Sequence, residues 1–227
     1  MISYHLEDQY PRGQAGALLG PYGSRVPPTL IILHSTRSGI PYHPDTQELQ
    51  STLNHFHNGV AGAHVVVSGA GDLYWIVPLD WQAWGASYLN PRALHIELTQ
   101  PTKSTPYQEG HYEGCAAAIR EMVAAYPSIP ILHTVSEDET GIIGHDETAQ
   151  GQEATKSDPG YRWDWGKLMG LLGGDTMDKI KLEAALNRLW KIRQAFEAGA
   201  ADVPEFATLS TMLFDTIVDI KVATGLQ

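Results

Sequence analysis

Five apolar runs of strand length are spread along the chain, and they constrain its fold more than any other feature. They are PPTLIILH, the two runs that flank the glycine-rich turn of GAHVVVSGAGDLYWIVP, ALHIELTQ and TGIIGH. Short β-branched runs bounded by turn residues are typical of buried strands, and the glycine-rich turn predicts a hairpin. The segments 45–57 and 109–126 instead carry apolar residues at helical spacing, and Asp164 is a plausible N-cap for a further helix.

The composition supports a folded core and disfavours several kinds of partner. Of the 227 residues, 43% are apolar and 18% are charged, which is enough apolar surface for a sizeable core. The net charge is −11 without clustered Lys or Arg, so binding to nucleic acid or to an anionic membrane is not expected. The N-terminus, MISYHLEDQYPRG, has no apolar run, so we expect synthesis in the cytoplasm without a signal peptide.

The only cysteine excludes an intrachain disulfide. Cys115 shares the apolar stripe of segment 109–126 with Ile119 and Met122. A cysteine in such a stripe usually packs as a small apolar residue. We therefore expect a buried thiol without a chemical role.

Two histidines occupy similar places in the chain. His34 and His145 each end an apolar run and precede a polar loop, so both could project at one end of a sheet. Asp158 precedes a proline, which favours an extended conformation for Asp158. In an extended segment residues i and i+2 point to the same side, so Lys156 and Asp158 are expected to face one site. Gly160 then allows a tight turn.

Two neutral imidazoles and one carboxylate, with a fourth position open, form the donor set of a catalytic zinc site. Attack of water on a carbonyl at such a zinc site also needs a proton acceptor and a group that stabilises the tetrahedral oxyanion. Glu97 in its apolar strand is the candidate base, and Lys156 is the candidate oxyanion stabiliser. The alternative is a metal-free arrangement of a buried histidine, a surface histidine and a helix-capping aspartate. Six other histidines have no recognisable partner pattern and are interpreted as surface or hydrogen-bonded residues: His5, His43, His55, His57, His111 and His133.

The sequence resembles the type-2 zinc N-acetylmuramoyl-L-alanine amidases, a family that includes phage lysins, cell-wall recycling amidases and animal peptidoglycan recognition proteins. The resemblance covers about residues 28–172. Its anchors are LIILHST, TLNHFHN followed by AGAHVVVSGAGDLYWIVP, the IEL strand, and GHDE followed by KSDPG and WDW. It implies an α/β fold, with a mixed central β-sheet flanked by helices and zinc in an open groove. It also implies the same functional residues: His34, His145 and Asp158 as zinc ligands, Glu97 as the catalytic glutamate and Lys156 as the active-site lysine.

Three positions depart from this family pattern or lack a role. Some relatives place a catalytic tyrosine where this chain has Ala63, which favours Glu97 as the base. Many relatives read A-W-H-A-G where this chain has Trp84 followed by Gly85, so a histidine that could contact substrate is missing. His64 matches a family histidine to which the sequence assigns no role.

The pair Gly173-Gly174 predicts a domain boundary. We expect a zinc amidase domain over 1–175, with an N-terminal arm or loop over 1–27, and a helical region over 176–227. Apolar stripes in the latter predict a hairpin of two helices, roughly 176–198 and 204–222. This hairpin is expected to pack on the catalytic domain or to mediate self-association, and a wall-binding or partner-binding module is the alternative.

The resemblance implies hydrolysis of the amide bond between N-acetylmuramic acid and L-alanine in bacterial peptidoglycan. The first expectation is a bacteriolytic endolysin that degrades the cell wall. One alternative is a cytoplasmic recycling amidase that acts on anhydro-muropeptides. The other is a peptidoglycan-binding protein without activity, which the joint presence of Glu97, Lys156 and Asp158 disfavours.

Overall fold

In a computed structural model of the chain, the residues described are 4–6, 27–57, 61–173 and 175–176. The chain divides into two compact units, Met1–Thr176 and Met177–Gln227. The second unit lies outside the described residues, so the helical hairpin and its self-association stay predictions. Among the described residues, none of the helices is both long and apolar enough to cross a bilayer.

Within the residues that the structure describes, eight strands form one mixed sheet in the order β1-β4-β3-β5-β2-β7-β6-β8. Their bounds are β1 Tyr4–Leu6, β2 Leu30–Ser35, β3 Val65–Val67, β4 Leu73–Trp75, β5 Ala93–Leu98, β6 Leu132–His133, β7 Gly141–Gly144 and β8 Asp175–Thr176. The strands β3 and β4 form the predicted antiparallel hairpin, and the other described strand pairs are parallel. The expected α/β class with a mixed central sheet is confirmed.

In the described part of the chain, four α-helices accompany the sheet. They are α1 Asp45–His57, α2 Glu109–Ala125, α3 Ala149–Glu153 and α4 Trp165–Leu172. Short 3-10 turns cover Ser87–Arg92 and His145–Glu147. The Asp164 side chain accepts a hydrogen bond from the Lys167 backbone N–H, so the predicted N-cap of α4 is confirmed.

Apolar side chains cover both faces of the central strands. In β2, Ile31 and Leu33 join the cluster that α2 and α4 cover. Leu30 and Ile32 point to the opposite face and pack in a separate cluster. Since strand side chains alternate between faces, His34 follows Leu30 and Ile32 onto this second face. Cys115, a residue of α2, is fully buried, as expected.

Two short edge strands were not predicted from the sequence. Residues 4–6, within the predicted N-terminal arm, pair in parallel with β4. Thr176, the first residue of the predicted helical region, pairs with His133 in the two-residue strand β8. Both strands are defined by pairing with a distant segment and are too short to show a periodic pattern of their own.

Candidate metal centre and active site

His34 and His145 meet at the carboxyl end of two neighbouring strands. His34 is the fifth residue of β2, and His145 follows β7 directly. The two strands pair in parallel, with Leu33 opposite Gly144, so their carboxyl ends share one edge of the sheet. The Nδ1 atoms of the two imidazoles lie 3.0 Å apart. The sequence-based expectation that both histidines project at one end of a sheet is therefore met.

Asp158 completes a group that could hold a metal ion. Its Oδ2 lies 3.4 Å from the His34 Nδ1 and 3.2 Å from the His145 Nδ1. Zinc bonds of 2.0–2.2 Å in tetrahedral geometry place neighbouring ligand atoms about 3.3 Å apart. The observed separations match that spacing, and the three side chains are 13% exposed or less. The donor set therefore fits a zinc ion.

The protonation states of these side chains suit a cation. Burial, followed by the neighbouring His145, lowers the pKa of His34 to about 4, so this imidazole is neutral near pH 7. Burial opposes ionisation of Asp158, but the close contacts with the His145 and His34 rings outweigh it and hold the carboxyl pKa well below its usual range. Metal ligands must be deprotonated, and both groups meet that condition.

Gln150 sets the tautomer of His145. The His145 Nε2 lies 2.8 Å from the Gln150 Oε1. With the carboxamide oxygen as acceptor, Nε2 carries the proton and Nδ1 keeps its lone pair for the ligand group. A partner of this kind orients a metal-binding imidazole. Gln150 lies five residues after His145 on α3, and no sequence pattern indicated this role.

Glu97 lies beside this group on β5. It pairs with His34 in the parallel register of β5 and β2, and it lines the same cavity. Burial, then the charge of Asp158, raises the pKa of Glu97 well above its ordinary value, while the charge of Lys156 acts in the opposite direction. A carboxyl with a raised pKa in a cavity is a candidate for transferring a proton during a reaction.

Lys156 lines the same cavity, on the loop that carries Asp158. Lys156 is exposed, and its backbone N–H donates to the Gly151 carbonyl at 2.8 Å. The cavity has a volume of about 530 Å³. The five residues predicted from the sequence line it together: His34, Glu97, His145, Lys156 and Asp158.

Arg37 anchors the Asp158 loop and was not identified from the sequence. Its guanidinium donates to the Ser157 hydroxyl at 2.8 Å, the Ser157 carbonyl at 2.6 Å and the Pro159 carbonyl at 3.0 Å. The Tyr107 hydroxyl also donates to the Pro159 carbonyl at 3.0 Å. The Asp158–Pro159 peptide bond is cis. These contacts join segments that lie between 52 and 122 residues apart, so no local pattern signals them.

Glu48 organises the loop that follows β2. Its carboxylate accepts hydrogen bonds from the Ser38 backbone N–H at 3.0 Å, from the Thr36 hydroxyl and from the His43 ring at 2.8 Å. Burial alone would raise the pKa of Glu48, but the hydrogen bonds from Ser38, Thr36 and His43 hold it below its ordinary value. Glu48 therefore fixes the segment between His34 and α1, a role that the sequence did not indicate.

Three of the histidines without a predicted partner are hydrogen-bonded. His43 contacts Glu48, His111 Nε2 lies 3.0 Å from the Thr99 hydroxyl, and His133 Nε2 lies 3.0 Å from the Glu147 carboxylate. Their interpretation as hydrogen-bonded residues is confirmed. None of the three belongs to the group that could hold a metal.

Comparison with known proteins identifies the family. The profile of the N-acetylmuramoyl-L-alanine amidases matches residues 24–161, which is more than half of the chain. The chain is 25% identical over 167 residues to the 1,6-anhydro-N-acetylmuramyl-L-alanine amidase AmpD of Enterobacter cloacae, covering 64% of this chain and 81% of that protein. It is 27% identical over 122 residues to AmpD of Escherichia coli, covering 50% of this chain and 60% of that protein.

Solved structures support the fold. A crystal structure of AmpD superposes with a TM-score of 0.51 at 20% identity, over 75% of this chain and 94% of that one. The hydrolase AmiA of Staphylococcus aureus superposes with a TM-score of 0.50 at 17% identity, over 76% and 81%. At these identities the likeness establishes a shared fold. Together with the profile match, it shows that this chain belongs to the N-acetylmuramoyl-L-alanine amidase family and is an amidase of peptidoglycan.

Proposed function

We propose that this protein is a zinc-dependent amidase in which His34, His145 and Asp158 hold the metal, Glu97 is the base and Lys156 stabilises the oxyanion. The observation that carries the proposal is the meeting of three ligand atoms within 3.4 Å of one another, in a cavity that Glu97 and Lys156 also line. The chemistry of two neutral imidazoles and one carboxylate suits Zn²⁺ with a position left for substrate or water.

The amide bond to be cut joins the lactyl carbonyl of N-acetylmuramic acid to the amino group of L-alanine. When bound, zinc supplies Lewis acidity that polarises a carbonyl and acidifies water. Glu97 accepts the proton of the attacking water and then returns it to the leaving amino group, so the carboxyl ends each cycle ionised. The Lys156 ammonium stabilises the negative charge that develops on the carbonyl oxygen of the tetrahedral intermediate.

Two arrangements of the chain support these roles. The charge of Lys156 acts against the larger effect of burial on the pKa of Glu97 and so favours the ionised form, which is the form that accepts a proton. Arg37 and Tyr107 both bind the Pro159 carbonyl, so the loop with Lys156 and Asp158 is fixed before substrate arrives. Fixed polar groups of this kind need no reorganisation during the reaction.

The biological substrate is a finer proposal. The sequence favours a bacteriolytic endolysin that cuts intact wall, and part of that preference depends on the C-terminal helices, which lie outside the described residues. The second candidate is cytoplasmic recycling of soluble anhydro-muropeptides. It is supported by the relatives at 25–27% identity, which are described as 1,6-anhydro-N-acetylmuramyl-L-alanine amidases.

Parallel digestions test both the chemistry and the substrate. The full-length protein is incubated with purified sacculi and, separately, with a soluble anhydro-muropeptide, each with and without a zinc chelator. New L-alanine amino termini are counted by dansylation. We expect release that stops with the chelator and returns when zinc is added back.

The ratio of the two rates assigns the role. Faster release from sacculi supports the endolysin, and release confined to the soluble muropeptide supports the recycling enzyme. If the zinc-loaded protein binds sacculi and releases no L-alanine termini from either substrate, the proposed catalytic function is wrong.

A further inference from the structure

His95 contacts His34 at the ring nitrogen that does not face the ligand group. The His95 Nδ1 lies 3.0 Å from the His34 Nε2, whereas the His34 Nδ1 lies 3.0 Å from the His145 Nδ1. His34 is 4% exposed and His95 is fully buried. The contact is thus a hydrogen bond shielded from water, between a proposed metal ligand and a histidine that plays no part in the mechanism above.

If His34 binds a metal through Nδ1, the position of each proton in its contact with His95 follows. A neutral imidazole carries a single proton, so the proton must lie on Nε2. The His34 Nε2–H then donates to the His95 Nδ1, which has to be the unprotonated nitrogen of its ring. His95 consequently carries its own proton on Nε2. The hydrogen bond between His34 and His95 is therefore compatible with metal binding only when both rings carry their proton on Nε2.

His64 holds the backbone of His95 in place. The His95 backbone N–H donates to the His64 Nδ1 at 2.9 Å. The His64 Nε2 lies 3.0 Å from the Trp81 backbone carbonyl and donates to it. The His64 and His95 rings are stacked, with 9° between their planes and 5.9 Å between centroids. His64, to which the sequence assigned no role, therefore helps to fix the position of His95.

Gly85 provides the space that the His95 ring occupies. A Cβ atom at position 85 would lie 2.6 Å from the His95 Nδ1 and 3.0 Å from its Cγ, closer than side chains tolerate. The backbone cannot retreat without loss, because the Gly85 N–H donates to the Asn90 side-chain oxygen at 3.1 Å. A glycine at position 85 and an imidazole at position 95 thus form a matched pair.

We propose that His95 is a positioning residue that accepts the Nε2 proton of His34 and holds the His34 Nδ1 toward the metal. Hydrogen bonds to the second nitrogen of a metal-binding histidine fix its tautomer and ring orientation. Gly85 and His64 serve this contact by giving the imidazole room and by holding its backbone. The inference rests on the proposed function, because it takes His34 to be a zinc ligand.

Two variants of similar shape separate hydrogen bonding from packing. In His95→Asn, a side-chain oxygen can accept the His34 proton, whereas His95→Leu offers no acceptor. The zinc dissociation constant of each purified full-length protein is measured by competition with a chromogenic chelator. We expect His95→Leu to bind zinc about 10- to 100-fold more weakly than the wild type, and His95→Asn to bind within a few-fold of it. Wild-type affinity in a folded His95→Leu protein, or an equal loss in both variants, would overturn the inference.

If His95→Leu does not fold, the positions of the imidazole protons in the unaltered protein provide the test. Long-range ¹H–¹⁵N spectra of the zinc-loaded protein report which nitrogen of each imidazole carries the proton. We expect His34, His64 and His95 all to carry it on Nε2. A proton on the His95 Nδ1 would contradict the proposed direction of donation.

The same data separate failure of this inference from failure of the proposed function. Loss of zinc binding in Asp158→Ala, together with wild-type affinity in His95→Leu, rejects the role of His95 and leaves the metal site intact. A wild-type protein that does not bind zinc rejects both.

Discussion

His34 and Glu97 lie directly opposite each other in the parallel pairing of β2 and β5. Residues in register on adjacent parallel strands point to the same face of the sheet, with backbones about 4.8 Å apart. The backbone of the sheet therefore sets the separation between the Cα atoms of one proposed metal ligand, His34, and of the proposed base, Glu97.

Since Glu97 is proposed as the base and not as a metal ligand, a substitution at Glu97 should lower turnover and leave metal binding unchanged. Glu97→Gln keeps the shape of the side chain but cannot accept a proton, so kcat should fall by about 10²- to 10⁴-fold. Zinc content, measured by atomic emission, should stay at the wild-type value. Glu109→Gln, at an exposed position of α2, is the matched control and should leave both quantities unchanged. Wild-type kcat in Glu97→Gln would reject Glu97 as the base.

Lys156 is predicted to act on the transition state more than on substrate binding. Lys156→Met preserves length and removes the charge, so we expect kcat to fall by about 10²- to 10³-fold with KM changed only a few-fold. Lys156→Arg keeps the positive charge and should retain more activity than Lys156→Met. Steady-state kinetics on a soluble muropeptide measure both constants. A Lys156→Met protein altered in KM alone would show that Lys156 binds the ground state.

Gly160 is predicted to be required for the shape of the Asp158 loop. Its φ is +79°, and a Cβ atom there would lie 2.3 Å from the Ser157 carbonyl oxygen. Gly160→Ala should therefore lower the free energy of unfolding by at least 1 to 2 kcal/mol, roughly the cost of a left-handed residue, and should weaken zinc binding. Urea unfolding and chelator competition measure the two effects.

Gly170 supplies the matched control for Gly160. It lies within α4, and a Cβ atom there would meet nothing within 4 Å. Gly170→Ala should raise the free energy of unfolding by about 0.5–1 kcal/mol, because alanine loses less backbone entropy in a helix. Equal effects of the two substitutions would contradict the special role of Gly160.

The lowered pKa of Glu48 predicts how the free energy of unfolding depends on pH. Burial favours its protonated form, but hydrogen bonds from Ser38, Thr36 and His43 outweigh it and leave the folded-state pKa below the unfolded-state value. A depressed pKa stabilises the fold above the unfolded-state pKa, and that contribution is lost as the pH falls through the folded-state pKa. The free energy of unfolding should therefore decrease on acidification below about pH 4.5.

Glu48→Gln tests this linkage. The substitution should lower stability at pH 7 by roughly 1–3 kcal/mol, the contribution of hydrogen bonds to a charged group, and should reduce the slope at acid pH. Urea unfolding from pH 3 to pH 7 measures both. An unchanged slope in Glu48→Gln would assign the acid sensitivity to other carboxyl groups.

Sequence patterns predicted the residues whose positions follow from a single local element. His34 and His145 lie at the carboxyl ends of two strands. Lys156 and Asp158 are two residues apart in the segment before a proline, so local patterns were enough to suggest that these side chains face one site. The supporting residues could not be predicted in this way. Arg37, Tyr107 and His95 act across more than fifty residues of sequence, through contacts that exist only after the sheet has formed.

Gly85, at a position where many relatives have histidine, also has a neighbour that the sequence did not indicate. From the sequence, Gly85 indicated only a missing histidine near the substrate. In the structure, the His95 ring fills the space beside Gly85, because the two positions face each other across the gap between a loop and β5. The meaning of a substitution at one position depends on a residue ten positions away, and no periodic pattern joins the two.

A zinc titration of the metal-stripped protein tests whether His34, His145 and Asp158 form the zinc site on which activity depends. Release of L-alanine amino termini from a soluble muropeptide is followed while zinc is added in steps to the wild type and to Asp158→Ala. We expect no release without metal, a linear rise that ends at one equivalent of zinc in the wild type, and no activity in Asp158→Ala at that concentration. Turnover by the metal-stripped wild type, or wild-type activity in Asp158→Ala, would contradict it.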